Sequence, residues 1–434
     1  MKNKHWIPCI LSLTITFFSC HHQPSDDQGL VNIQPQPFLE IKDLPQQKSL
    51  PGLMVTESDT IHSVEEWEIH REYLKKMLMF YQYGEMPSKP HDVEVRETER
   101  KNDNGRIHSS YDFILRQNGK KLTFRLGLIR SEEEKMYPII IKNDRYRFDM
   151  AEVENKEVRK KYTKQNRLAV DYLVAEEAVK RGYIYCKFVR EDVAGDVNRP
   201  KKGRIFDLYP EHEWGAITAW AWTYQIIIDW LEKQPFVDSN KIVATGHSRG
   251  GKTALCAGVF DERIAITVPN SSGLGGTGSL RFYDFSRGDV QTIDHQIERF
   301  SHWWPERWYT LKDHIGKAPF DSHFAKALIA PRALLNTHAR HDFWANPYGT
   351  YLTYLRSQKP FELYGLTEHN AMHWRDGGHA QDKEDWMALF DYCDWVFYQK
   401  PTNRKFRENP YPGIYQFDSL KNHDITKIND DGSK

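Results

Sequence analysis

The chain of 434 residues has no excess of charge of either sign, with 60 Lys and Arg balanced by 60 Asp and Glu. It also lacks a basic block of the length that phosphate binding needs, which excludes nucleic acid as a partner. Long hydrophobic runs are missing too. The longest, Ile7 to Phe18, would reach about 18 Å as a helix against a hydrocarbon core of about 30 Å, so it reads as an export signal and not as an anchor. Cysteine is scarce, and none of the five (Cys9, Cys20, Cys186, Cys256, Cys393) has the C-x-x-C spacing of a metal or redox site. Cys186, Cys256 and Cys393 therefore read as buried free thiols. Glu211-His212-Glu213 lacks the spacing of a zinc helix, and Cys20-His21-His22 lies in a polar tract, so no metal and no cofactor are expected. No internal repeat is present. Aromatics, by contrast, are plentiful: 13% of residues, 13 of them Trp. Most read as core, but His302-Trp303-Trp304 and Asp342-Phe343-Trp344 set rings among polar groups, as a sugar-binding cleft does.

The N-terminus combines Lys2 and Lys4, the apolar run, and Ser19 followed by Cys20. This pattern resembles a bacterial lipoprotein signal, in which the cysteine is lipidated and becomes the first residue. Residues 1–19 are thus expected to be a signal peptide. Residues 20–50, rich in Gln, Pro and Asp, are expected to be a flexible tether, and residues 51–434 a single folded domain. Ser25-Asp26-Asp27 resembles the acidic tether of some surface lipoproteins. The expected location of this exported lipoprotein is the outer membrane, with the cell surface as one option, or the periplasm. Membrane contact would be confined to the lipidated N-terminus, with a monomer as the default state.

Ser63-Val64-Glu65-Glu66 has the form of a capping box, and Trp67, His70, Leu74, Met77, Leu78 and Tyr81 recur at helical spacing up to Gly84. Alternation replaces that period in Val93 to Arg96 and in Leu122, Phe124, Leu126 and Leu128. Asn118-Gly119 marks a tight turn between Tyr111 to Arg116 and Lys121 to Arg130, which predicts an antiparallel sheet edge. From Tyr137 onward, short apolar strands alternate with helices, as in a parallel sheet covered on both faces. The strands are placed at Pro138 to Ile141, Tyr183 to Val189, Lys241 to Thr245, Ile264 to Val268, Ala333 to Thr337 and Phe361 to Tyr364. The helices are placed at Asp171 to Lys180, Trp214 to Leu231, Lys252 to Phe260 and Lys383 to Phe397.

Gly246-His247-Ser248-Arg249-Gly250 has the form G-x-S-x-G between a strand and a helix, the setting of a nucleophile elbow in an α/β-hydrolase. The predicted fold class is therefore α/β, a mostly parallel central sheet with helices on both faces and an antiparallel N-terminal edge. A serine hydroxyl needs a base within hydrogen-bond reach, and this fold supplies partners in the chain order serine, acid, histidine. Asp342, past the strand Ala333 to Thr337, is the candidate acid, with Glu368 and Asp376 next in line. His379, after Gly377-Gly378, is the candidate base, with His369 and His373 as rivals in the same stretch. The N–H of Arg249 follows the nucleophile and is the candidate oxyanion donor, and its guanidinium is a second donor unless a surface ion pair takes it. Glu191, Asp192 and Asp196 read as a solvated loop that alternatively borders the cleft.

These residues resemble the glucuronoyl esterases, which cleave esters whose acyl part is a uronic acid. The resemblance covers roughly Trp214 to Trp395. It is carried by Gly246-His247-Ser248-Arg249-Gly250-Gly251-Lys252, Trp214-Gly215-Ala216-Ile217, Leu328-Ile329-Ala330-Pro331-Arg332 and Asp342-Phe343-Trp344-Ala345-Asn346-Pro347. It implies that Arg249 assists the oxyanion, that Lys252 contacts sugar hydroxyls and that Trp344 lines the uronate pocket. Two departures stand out. Where the family's usual acid is a glutamate in P-x-E-S-G, this chain has Pro269-Asn270-Ser271-Ser272-Gly273, so Ser271 replaces the carboxylate and the acid role moves to Asp342. Where the fungal pattern has cysteines, this chain has His247 and Ala380.

The expected activity is that of a serine esterase acting on a uronic acid ester of plant cell-wall polysaccharide, either a glucuronoyl ester or a pectin-type methyl ester. The alternatives are an acetyl xylan esterase and, in another class, a catalytically inactive glycan-binding lipoprotein.

Overall fold

The computed structural model describes residues 38–411 except 48, 57, 58, 146–166, 199, 200 and 284–288. Capping sets the start of the first long helix, α1 (Val64–Leu78). Ser63 accepts from the Glu66 N–H while the Glu66 carboxylate accepts from the Ser63 N–H, as the S-x-x-E signature predicts. A π-turn, Met79–Tyr83, carries the chain on to Gly84.

Among the described residues, nine strands form one sheet in the order β1-β2-β3-β5-β4-β6-β7-β8-β9. The first three, β1 (Asp92–Asp103), β2 (Arg106–Gln117) and β3 (Lys120–Ser131), are the antiparallel edge. Phe113 sits opposite Phe124 with ring centroids 4.8 Å apart, a cross-strand pair that pins the register. The parallel part comprises β4 (Tyr137–Asp144), β5 (Ile184–Val189), β6 (Val237–His247), β7 (Ile264–Asn270), β8 (Ala333–Ala339) and β9 (Asn370–Arg375). Strand residues of opposite parity feed two cores. On one face Ile139, Ile141, Ile242 and Ala244 pack with helices α3 (Ala216–Leu231) and α4 (Arg249–Phe260). On the other, Ile140, Tyr185 and Val243 pack with α2 (Arg167–Arg181) and the last helix, Lys383–Tyr398. Both faces are thus apolar, which is why these strands read as continuous hydrophobic runs.

Strand order reverses at β4, which lies between β5 and β6. In such sheets the crevice at the carboxyl ends of the strands on either side of the reversal is the usual place for a site. The segments after β4, β6, β7, β8 and β9 all leave from that end.

Two expectations need correction. The expected tether reaches residue 50, yet Ile41 is fully buried in the core. Phe38 packs on Tyr73, Phe80 and Tyr81 at 5.5, 5.4 and 5.9 Å. Two apolar side chains and a three-residue 3-10 turn, Ile41–Asp43, are too short to show a period. Phe361 to Tyr364 is not a strand either: the short helix Gln358–Leu363 occupies that stretch, and the strand before His379 is β9. All six residues of β9 are buried although Asn370, His373 and Arg375 are polar, so alternation could not reveal it. Its edge is covered, with Met372 N–H donating to Phe406 O at 2.6 Å.

Candidate active site

The chain turns from β6 into α4 at Ser248, whose φ of 57° and ψ of −121° are strained for a side-chain-bearing residue. Close packing explains the flanking glycines. A Cβ on Gly246 would lie 2.4 Å from Gly250 O, and one on Gly250 would lie 2.8 Å from Asn143 Oδ1. Asn143, at the end of β4, clamps the turn by donating from Nδ2 to Gly250 O and to the Tyr224 hydroxyl, each at 2.9 Å. Tyr224 in turn donates to Thr245 O at 2.8 Å. The first intrahelical bonds of α4 run from the Gly251 and Lys252 N–H groups to Ser248 O. The N–H groups of Arg249 and Gly250 therefore come before the helical ladder and have no helical acceptor.

His379 brings the serine and the acid together. Its Nδ1 is 2.8 Å from Asp342 Oδ2 and its Nε2 is 2.9 Å from Ser248 Oγ. A carboxylate only accepts, so Nδ1 carries the proton and Nε2 is left to accept from the serine hydroxyl. The Asp342 side chain is 1% exposed and that of His379 33%. Burial by itself would raise the Asp342 carboxyl. The hydrogen bond from His379, the nearby His338 and the Ser271 hydroxyl outweigh it, and the group is held below the usual carboxylate value. The rivals are engaged elsewhere. Asp376 pairs with Arg340 at 3.1 Å, Glu368 with Arg407 at 2.8 Å, and His369 Nδ1 faces Pro331 O at 3.0 Å. His373 lies buried within β9, beside Glu384 at 3.8 Å.

Sequence reasoning missed what holds these groups. Arg375 is the anchor of the His379 loop: its guanidinium donates to Asp376 O at 2.8 Å, Gly378 O at 3.2 Å, Ala380 O at 2.5 Å and Asp385 Oδ2 at 2.6 Å. His247, where the fungal pattern has cysteine, packs its ring 4.6 Å from that of His379. Burial, then the neighbouring His379, push its imidazole down to about 3, so it is a neutral wall for the histidine. The Asn270 amide nitrogen donates to Thr337 Oγ1 at 2.8 Å, so Asn270 Oδ1 accepts from His247 Nδ1–H at 2.6 Å. No motif announces either role: the Arg375 contacts depend on how the loop from Asp376 to Asp385 folds back, and the His247 contacts join segments far apart in sequence.

The remaining expectations fare differently. Arg249 is half-buried, and its Nη1 lies 2.9 Å from each carboxylate oxygen of Asp196. Trp344 is half-buried, in the 3-10 turn Phe343–Ala345 just past Asp342, with its ring 5.2 Å from that of His295. Lys252 is a correction. Its ammonium is buried and donates to Ser272 O, to Leu274 O at 2.7 Å and to Gln291 Oε1 at 3.2 Å. All three of its protons are used to brace the segment after β7, and none is left for a sugar hydroxyl. Cys20 lies outside the described residues. Cys186, Cys256 and Cys393 are buried free thiols.

A mostly parallel sheet with helices on both faces, and a strained serine between β6 and α4, define an α/β-hydrolase. Residues 115–365 match the family described as glucuronyl esterase, fungi. A carbohydrate esterase, MZ0003, of an unknown prokaryotic organism is 32% identical over 245 residues, which is 50% of this chain and 55% of that protein. The 4-O-methyl-glucuronoyl methylesterase of Podospora anserina is 26% identical over 317 residues, 71% of this chain and 58% of its own length. The chain thus spans little more than half the length of these curated relatives. A family 15 glucuronoyl esterase from Caldicellulosiruptor kristjansonii superimposes with a TM-score of 0.70 at 26% identity, covering 87% of this chain and 97% of its own. The chain belongs to the glucuronoyl esterase family.

Proposed function

We propose that this protein hydrolyses an ester at the carboxyl of a uronic acid in plant cell-wall polysaccharide. The reading is carried by the placement of His379 between Ser248 and Asp342. Ser248 Oγ attacks the ester carbonyl as His379 Nε2 takes its proton, and Asp342 stabilises the resulting imidazolium. The Arg249 N–H and guanidinium face the developing oxyanion. His379 then returns the proton to the leaving alcohol, and water releases the uronic acid from Ser248 by the same steps in reverse. Trp344 lines the sugar side.

The names of the relatives favour a glucuronoyl ester over a pectin-type methyl ester. Acetyl esters come third, although Lys252 no longer argues against them because it is buried. Assaying methyl glucuronate, methyl-esterified polygalacturonate and acetylated xylan side by side separates the three, and the glucuronate ester is expected to turn over fastest. Faster acetate release from xylan would overturn the assignment.

We also infer that Cys20 is lipidated after removal of residues 1–19 and tethers the enzyme to the outer membrane. Its support is the small residue Ser19 before Cys20 at the end of the apolar run. Cys20→Ser is expected to abolish acyl labelling and move the protein out of the membrane fraction. Unchanged fractionation and labelling would refute the anchor.

A further inference from the structure

Asp196 lies beyond β5 in the stretch that reads from sequence as a solvated acidic loop. Its side chain is in fact 2% exposed. Four side chains converge on its carboxylate. Arg249 Nη1 reaches both oxygens at 2.9 Å, and His302 Nε2 and Trp303 Nε1 each donate to Oδ1 at 3.1 Å. Arg190 Nη2 donates to Oδ2 at 3.4 Å. A carboxylate held from the segment after β5 and from residues 302 and 303 has no freedom to rotate.

The same residues fix the plane of Arg249. Its guanidinium carbon lies 4.7 Å from the Trp303 ring centroid and 5.1 Å from that of Phe300. Those two rings are themselves stacked at 4.1 Å with 8° between planes. Only Nη1 of Arg249 is spent on Asp196, so Nε and Nη2 keep their protons for another acceptor. Because Arg190 and Arg249 share one carboxylate, the positive charge beside Ser248 is only partly neutralised.

We propose that Asp196 is a positioning residue for the reaction: it holds the Arg249 guanidinium in one orientation, so that its remaining N–H groups meet the oxyanion forming at Ser248. Donors fixed before the reaction need no reorganisation as charge develops, whereas an untethered arginine would sample many rotamers. The inference rests on the reading of Arg249 as an oxyanion donor, and it adds the residue that makes that role geometrically effective.

The test is a double-mutant cycle on methyl glucuronate with Asp196→Ala, Arg249→Ala and the double variant, each checked by circular dichroism and thermal melting. Asp196→Ala is expected to lower kcat by about 10²-fold, the usual cost of misplacing a catalytic group by about 1 Å, with KM changed by less than about 3-fold. In the Arg249→Ala background the same substitution should cost less than about 3-fold, because the group it positions is gone. A larger cost there overturns the proposal, since Asp196 would then act on something other than Arg249. Should Asp196→Ala fail to fold, Asp196→Asn, which keeps the volume and loses the charge, is put through the same cycle with the same criterion. A wild-type enzyme inert on every uronate ester would refute the proposed function, whereas an active wild type with independent effects refutes only the role of Asp196.

Discussion

Ser248→Ala is expected to lower ester turnover about 10⁶-fold, the scale seen when the nucleophile of a serine hydrolase is removed. Alanine deletes only the hydroxyl that faces His379 Nε2 at 2.9 Å. The elbow itself is held by backbone and neighbouring side chains, with Ser248 N–H on Asn270 O at 2.9 Å and Asn143 on Gly250. The variant should therefore fold and melt like wild type, since alanine bears the φ of 57° with the same Cβ strain as serine, and still bind substrate. Steady-state kinetics on methyl glucuronate together with a thermal melt check this. Residual activity above a tenth of wild type would mean that another nucleophile does the chemistry. The alternative of a catalytically inactive glycan-binding lipoprotein would instead require a wild type without esterase activity.

Asp342→Asn should cost up to about 10⁴-fold in kcat, because an amide no longer enforces the tautomer in which Nε2 accepts the serine proton, nor stabilises the imidazolium. An unchanged rate would send the acid role to another carboxylate, although Asp376 and Glu368 are committed to Arg340 and Arg407. The substitution also has a pH signature. Asp342 has a folded-state value below its unfolded one, so its charge contributes stability above the ordinary carboxylate value of about 3.9. That contribution fades as pH falls through the lower, folded value. Melting temperatures of wild type and Asp342→Asn should accordingly differ most near neutral pH and converge in acid. Ser271 belongs to the same account. The family's usual acid position is occupied here by the buried hydroxyl of Ser271, one residue past β7, which is the least of the groups that favour the Asp342 charge.

The elbow was legible because it is local: strand, G-x-S-x-G and helix follow one another within a few residues, although part of the steric reason for the glycines comes from Asn143 on β4. The order of serine, acid and histidine was legible for a related reason, since parallel strands deliver successive loops to the same end of the sheet. His379 was harder to single out, because the strand before it is a polar, fully buried edge strand that does not alternate. Lys252 and Asp196 were misread in opposite directions. The family resemblance implied that Lys252 contacts sugar hydroxyls, and an aspartate in an acidic stretch looked solvated. Burial reverses both: Lys252 is consumed by carbonyls of the segment after β7, and Asp196 becomes the acceptor on which Arg249, Arg190, His302 and Trp303 meet.

The sequence by itself determined the fold class, the nucleophile elbow and the chain order of the reactive groups, because periodicity, capping and turn chemistry act over a few residues. Only the tertiary structure decided which histidine faces Ser248, which charges are spent internally, and what holds Arg249. Those outcomes depend on burial and on contacts between residues tens to hundreds of positions apart, and no local pattern encodes them.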